Sequence, residues 1–210
     1  MILSFLTAQI PANPALLGTR GIGLMSDPQH LKKIKQGVEL WNKWREENQD
    51  LRPDLSGAHL REAELKGVSL WGTNLERIDF VATNLEMANL GEANLKRAFL
   101  ADANLQWAIL SGANLWRATL WGANLKGAEL MRVNLENAFL GEANLKRANF
   151  LGANLKKADF REANLKKAEN LSARQLSRVK TLYKAQIDPE IMEKIIKDYP
   201  HLLEDPDKDE

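Results

Sequence analysis

From Leu55 to Leu165 the chain places an apolar residue at every fifth position without a slip. Three of these centres are Phe80, Phe150 and Phe160, and the other 20 are Leu. Two residues before each centre, 17 of 22 positions from Ala58 to Ala163 are Ala. The exceptions are Val68, Thr73, Ile78, Thr83 and Val133. A slower period of ten puts Asn at every position ending in four from Asn74 to Asn164. Five suits neither common element. On a helix, residues five apart are displaced by about 140°, so no apolar stripe forms. On a strand, an odd spacing sends successive leucines to opposite faces. The pattern therefore predicts a chain that turns a corner every five residues with Leu and Ala pointing inward. Four corners close one coil of four pentapeptides, and such coils must stack through β-type hydrogen bonds to satisfy their backbones.

The flanks change period. Leu31, Ile34, Val38, Trp41 and Trp44 share one helical stripe, and Ser26-Asp27-Pro28-Gln29 supplies a start signal with an acidic cap and Pro in the first turn. After the repeats, Ser172-Ala173-Arg174-Gln175 has the form of a capping box. Leu176, Val179, Leu182 and Tyr183 follow it at helical spacing. Asp188-Pro189-Glu190 then opens a short helix with Ile191, Ile195, Ile196 and Tyr199 on one side. The chain thus divides into an N-terminal arm and capping helix over 1–52, the repeats over 53–168, a two-helix cap over 169–203, and a disordered acidic tail over 204–210. Helical caps at both ends predict a monomer, because they cover the apolar core and free backbone that an open solenoid would offer to another copy.

The recurring A(N/D)LXX string, present as AELKG, ANLKR, ANLWR and ADFRE, resembles the pentapeptide repeat proteins. The resemblance covers about Asp54 to Lys167. It implies an all-β solenoid, a right-handed quadrilateral β-helix, here of about six coils with α-helical caps at both ends. The flanking phrases VELWNKWREEN and TLYKAQIDPE resemble those of cyanobacterial members. Activity does not follow from this likeness, since the fold carries different functions.

Composition narrows the chemistry. The 210 residues contain no Cys and three separated His, which removes thiolate zinc sites, disulfides, a Cys nucleophile and a His-rich metal centre. No cofactor is expected. Lys+Arg 29 against Asp+Glu 28 leaves a formal charge of +1, so no global field recruits nucleic acid or an anionic membrane. No apolar run reaches the roughly 18 residues of a membrane helix. The stretch from Met1 to Thr19 carries no basic residue and so lacks the start of a signal peptide, and a cytoplasmic location is expected. Gly18-Thr19-Arg20-Gly21-Ile22-Gly23 lacks the Lys-Ser/Thr of a phosphate loop and reads as a loop. A tube filled by Leu and Ala leaves no interior pocket to perturb a carboxylate or assemble a triad. The Asn series reads as a stacking ladder.

Function is thus confined to outward residues. Sorted by the four faces of the stack, the face of Leu55 carries a net +3, that of Leu65 +4, that of Leu60 and Phe80 −4, and that of Leu70 −1. Outward apolar side chains fall into two sets. One lies on the acidic face, with Val81, Phe99, Trp121 and Phe139, and Trp116 at the neighbouring corner. The other lies on the −1 face and its edge, with Trp71, Met87, Trp107, Ile109, Met131 and Leu151. The apolar N-terminal segment 1–25 enters beside Trp71 and is expected to cover the second set. The acidic set, rimmed by Asp79, Asp102, Glu142 and Asp159, is then the expected partner surface, with Trp121 as anchor. The first reading is a non-catalytic, regulatory protein-interaction scaffold with an unidentified protein partner. The family offers a second, a DNA mimic that inhibits a type II topoisomerase, against which the repeats set 15 basic and 13 acidic residues. Salt-dependent nucleic-acid binding through the two basic faces ranks third.

Overall fold

The computed structural model describes residues 25–208. The repeats form four parallel ladders, each linking residues 20 apart. One runs from Asp54 through Asn74, Asn94, Asn114 and Asn134 to Asn154, and a second from His59 through Asp79, Phe99, Thr119 and Phe139 to Asp159. The third links Glu64 to Asn164 and the fourth Ser69 to Glu169. Four ladders, one per pentapeptide in turn, give a four-sided column. At each corner the N–H three residues after the start of the turn returns to its carbonyl, as Ala58 does to Leu55 at 3.1 Å. The third residue of each turn lies in the left-handed region, from Gly57 to Lys167. Gly occupies only some of these places. Arg77, Ala82, Trp107 and others hold the same φ near +57° and carry the steric cost of a Cβ there.

The centres fill the tube as their period requires. Leu95, Leu115 and Leu135 are fully buried, as are Phe80, Phe150 and Phe160. Burying each such side chain contributes about 1.5–3 kcal/mol before entropy is counted. Ala at the preceding inward position keeps opposite walls close enough to touch. Where Thr83 replaces it, the hydroxyl donates to the Leu60 carbonyl at 2.7 Å, which satisfies an otherwise buried polar group. The Asn series forms two side-chain stacks. Asn104, Asn124 and Asn144 each donate to the Asn one coil below at 3.2 Å. Their Oδ1 atoms accept the N–H two residues onward, so each Asn also holds its own turn.

The flanks differ in detail from the expected helices. Asp27 caps α1, Pro28–Ile34, with its carboxylate accepting from Gln29 and His30 N–H. The single N-terminal helix is instead two, because Gly37 at φ 110° separates α1 from α2, Val38–Glu47. Trp41 is fully buried against the first coil. The Ser172–Gln175 capping box is present, but its helix, α3, is one turn long, Ala173–Leu176. The helical stretch expected from Leu176 to Tyr183 is corrected: Thr181 rejoins the ladder on Asp159, and Gln186 pairs with Asn164. The spacing there is 22 instead of 20, so α3 is a two-residue insertion in a continuing coil. The final helix, α4, spans Pro189–Asp198 and is followed by a single 3-10 turn, Pro200–Leu203. Ile195 is buried, whereas Ile196 is exposed. The expected disordered tail is described as far as Lys208, and Asp207 forms an ion pair with Arg161.

Candidate protein-interaction surface

The acidic face is the side of the His59 ladder. Phe99, Thr119 and Phe139 follow one another outward along it, and Val81 and Trp121 lie at the corner that follows. Phe139 is 44% exposed, and Val81, Phe99 and Trp121 are half-buried. Trp121 does not stand into solvent. Its indole lies over Gly141, where a Cβ would collide with the six-membered ring. The intended anchor is therefore partly consumed in covering its own column. Trp116 sits at the opposite corner of the face, between the guanidinium groups of Arg97 and Arg117 at 5.3 and 4.6 Å from its ring centroid. Both cations lie within cation–π range of that ring.

The charged rim divides in two. Asp79 is nearly buried and faces His59 Nδ1 at 3.7 Å and Arg61 at 3.5 Å. Asp159 is 3% exposed and receives Arg161 through Nε and Nη2, at 2.9 Å for the latter, with Lys180 Nζ at 3.5 Å. Hydrogen bonding to Asp159, with Asp207 adding to it, raises the Arg161 guanidinium above its ordinary value against the effect of burial. These two carboxylates serve the fold. Asp102 and Glu142 remain exposed at the middle of the face, beside Trp121 and Phe139. The sequence hides the Arg161 cluster, because nothing at Asp207 marks it as a partner of a residue 46 positions earlier.

The opposite face exposes more apolar surface. Trp71, Met87, Trp107, Ile109 and Leu151 are each more than 40% exposed, while Met131 is half-buried. Trp107 rests over Gly127 as Trp121 does over Gly141, and Trp71 Cδ1 lies 3.0 Å from where a Gly91 Cβ would stand. The expected cover from the N-terminal segment falls outside the described residues, apart from Met25, which is exposed. An open groove between α2 and the first coil ends at Trp71 and is flanked by Arg45, Glu46 and Asp50. Arg45 is 6% exposed and has no carboxylate partner among the described residues, and desolvation lowers its pKa. Its guanidinium instead donates to the Leu51 and Trp71 carbonyls at 2.7 and 3.0 Å. Among the described residues no cluster of His, Cys, Asp and Glu could hold a metal, and no helix is long and apolar enough to cross a membrane.

With the four ladders and the filled core established, comparison with known proteins identifies the repeat. A family model described as Pentapeptide repeats matches in eight copies, together spanning residues 53–166. The chain belongs to the pentapeptide repeat family. A right-handed β-helix is the fold of that family. Among solved structures, the chain is similar to the pentapeptide repeat protein Rfr23 from the cyanobacterium Cyanothece 51142. That match has 28% identity over 57% of this chain and 97% of the other, with a TM-score of 0.45. It is similar also to HetL from the cyanobacterium Nostoc sp. strain PCC 7120, a pentapeptide repeat protein involved in heterocyst differentiation regulation. Identity there is 29% over 63% of this chain and 73% of HetL, with a TM-score of 0.41. QnrB1, a plasmid-mediated fluoroquinolone resistance protein, matches at 18% identity over 68% of this chain and 89% of its own, with a TM-score of 0.36. No curated protein matches the chain.

Proposed function

We propose that this pentapeptide repeat protein is a non-catalytic, cytoplasmic interaction scaffold with a regulatory role. The observation that carries the reading is the core. The inward positions are filled, chiefly by Leu, Phe and Ala, so contacts with a partner fall to the outward residues. The partner surface is the middle of the acidic face, where Phe139 and Trp121 lie between Asp102 and Glu142, with Val81, Phe99 and Trp116 extending it. A basic or neutral surface is its complement. The exposures on the opposite face favour a second reading, in which Trp107 and Ile109 make the contact.

The two are separated by quantitative capture. Phe139→Ala/Trp121→Ala and Trp107→Ala/Ile109→Ala variants of equal thermal stability are compared as baits against a partner first captured by the unaltered protein. Loss confined to the first pair supports the acidic face, and loss confined to the second moves the site to the opposite side. A potent block of gyrase supercoiling by the purified protein would replace both with the topoisomerase reading.

A further inference from the structure

Asp54 begins the first ladder, and both of its backbone groups are tied to the first turn of α1. Its carbonyl accepts from Asp27 N–H at 3.1 Å, and its N–H donates to Nδ1 of His30 at 3.2 Å. Further along that ladder the same N–H meets a peptide carbonyl of the coil below, as Asn74 meets Pro53 and Asn94 meets Thr73. A peptide carbonyl accepts at any pH. An imidazole nitrogen accepts only while its lone pair is free, and once protonated it is a donor. Histidine is the side chain whose ordinary charge change falls between about pH 5 and 8. The bond that seats α1 on the coil is therefore conditional on the charge of one ring.

A second set of partners stands beside the same ring. The Asp27 carboxylate lies 3.7 Å from Nδ1, beyond hydrogen-bond length for the neutral ring but close enough to draw a charged one. Among the described residues it is the one carboxylate within ion-pair distance of the imidazole. Asp54's own carboxylate is engaged elsewhere, accepting from Ser56 N–H and Asn74 Nδ2. From α2 the ring is faced by the uncharged indole of Trp44, at 5.4 Å between centroids, within cation–π range of an imidazolium. We infer that His30 is a pH-operated latch. Neutral, it accepts the Asp54 N–H and holds the first turn of α1 on the column. Protonated, it turns its Nδ1–H to the Asp27 carboxylate and releases that turn, because two donors would otherwise oppose each other at 3.2 Å. The movement has bounds. Ile34, at the far end of α1, is 2% exposed in the core, and Gly37 separates α1 from α2. The Ser69 side is held by different chemistry, with Trp41 Nε1–H on the Ser69 carbonyl and Asn42 Oδ1 on its N–H, each at 2.8 Å. Neither an indole nor an amide titrates, so acid loosens the Asp54 side and leaves the Ser69 side seated. Asp27 still caps α1 through Gln29 N–H, so the helix outlasts its release from the coil.

Magnetic resonance of the full chain tests the latch. The ring nitrogens of His30 report its charge and tautomer. Amide exchange, expressed as protection over the unfolded rate at each pH, reports Asp54 and Ser69. In the neutral ring Nδ1 carries no hydrogen. Across the interval in which the ring charges, Asp54 loses about tenfold in protection, the loss of one hydrogen bond, while Ser69 holds. His30→Asn, whose side-chain oxygen accepts without titrating, leaves Asp54 protection level over the same interval. His30→Phe offers no acceptor and leaves Asp54 unprotected on both sides of it. A hydrogen on Nδ1 of the neutral ring would overturn the latch, as would Asp54 protection that stays level while the ring charges. An equal fall in the unaltered protein and in His30→Asn would assign the acid response to another group and overturn it too. So would Asp54 protection that survives in His30→Phe, or a fall at Ser69 in step with Asp54, which would mark a general loosening of that end.

Discussion

The two ends of the column are finished by different chemistry. At the C-terminal end the coil simply continues. Lys157, Phe160, Glu162 and Leu165 N–H donate upward to the carbonyls of Arg178, Thr181, Tyr183 and Gln186, and Leu182 N–H donates on to Leu202. Side chains close what remains, with Gln175 Nε2 on the Phe150 carbonyl and the Asp188 carboxylate on Lys167 N–H. At the N-terminal end the pairing among the described residues is largely the work of side chains, from His30, Trp41, Asn42 and Arg45. A backbone strand satisfies a whole side in register; a helix satisfies only the atoms its side chains reach. Two short helices reach two sides.

The largest expected effect separates the ends by how far damage spreads. Trp41→Ala removes a fully buried indole and its bond to the Ser69 carbonyl, and should cost about 3–5 kcal/mol. In a column whose coils touch only their neighbours, the loss should appear as fraying of 54–73 in amide exchange, with Asn104 to Asn144 still protected. Exchange that accelerates uniformly would show a cooperative unit in which the ends are not distinct. Arg161→Ala at the other end should cost about 3 kcal/mol, because it strands the buried Asp159 carboxylate and releases Asp207. Lys180 offsets part of that loss. Denaturant melts of Arg161→Ala and Lys180→Ala, singly and together, measure the share of each.

A smaller effect concerns pH at the N-terminal end alone. Hydrogen bonding, chiefly from Gln29 N–H, holds the Asp27 carboxyl below the usual carboxylate range. A depressed folded-state pKa stabilises above the unfolded value and is lost as pH falls through the folded one. Protection of α1 should therefore weaken below about pH 4. Asp27→Asn, which keeps an acceptor but does not titrate, should flatten that dependence. Equal acid sensitivity in the two proteins would assign it to another carboxylate.

The column was legible because one signal repeats 23 times, and its inward residues are the buried ones. The ends were harder to read because short runs satisfy two periods at once. Leu176, Val179 and Leu182 fit a helix, yet Leu182 and Ile187 are five apart with Ala185 two before the second, so the pentapeptide pattern resumes after slipping by two. Gly37, between Ile34 and Val38, marked the break in the N-terminal helix. The surface was legible as a list of outward apolar residues but not as exposure. Whether a Trp stands or lies flat depends on the residue one coil onward, and the Gly 20 positions after Trp107 and Trp121 decides it.

Those ring-over-glycine pairs also set which lengths of insertion or deletion the molecule absorbs. Removing five residues preserves the inward pattern, so the shortened chain still fills its tube. Everything above the cut, however, turns by a quarter relative to what lies below. Trp121 would then meet Lys146 instead of Gly141, and acidic and basic sides would join into one broken strip. Removing twenty shortens the column by a storey and returns each side to its own line. Over evolutionary time the core therefore counts in fives and the surface in twenties.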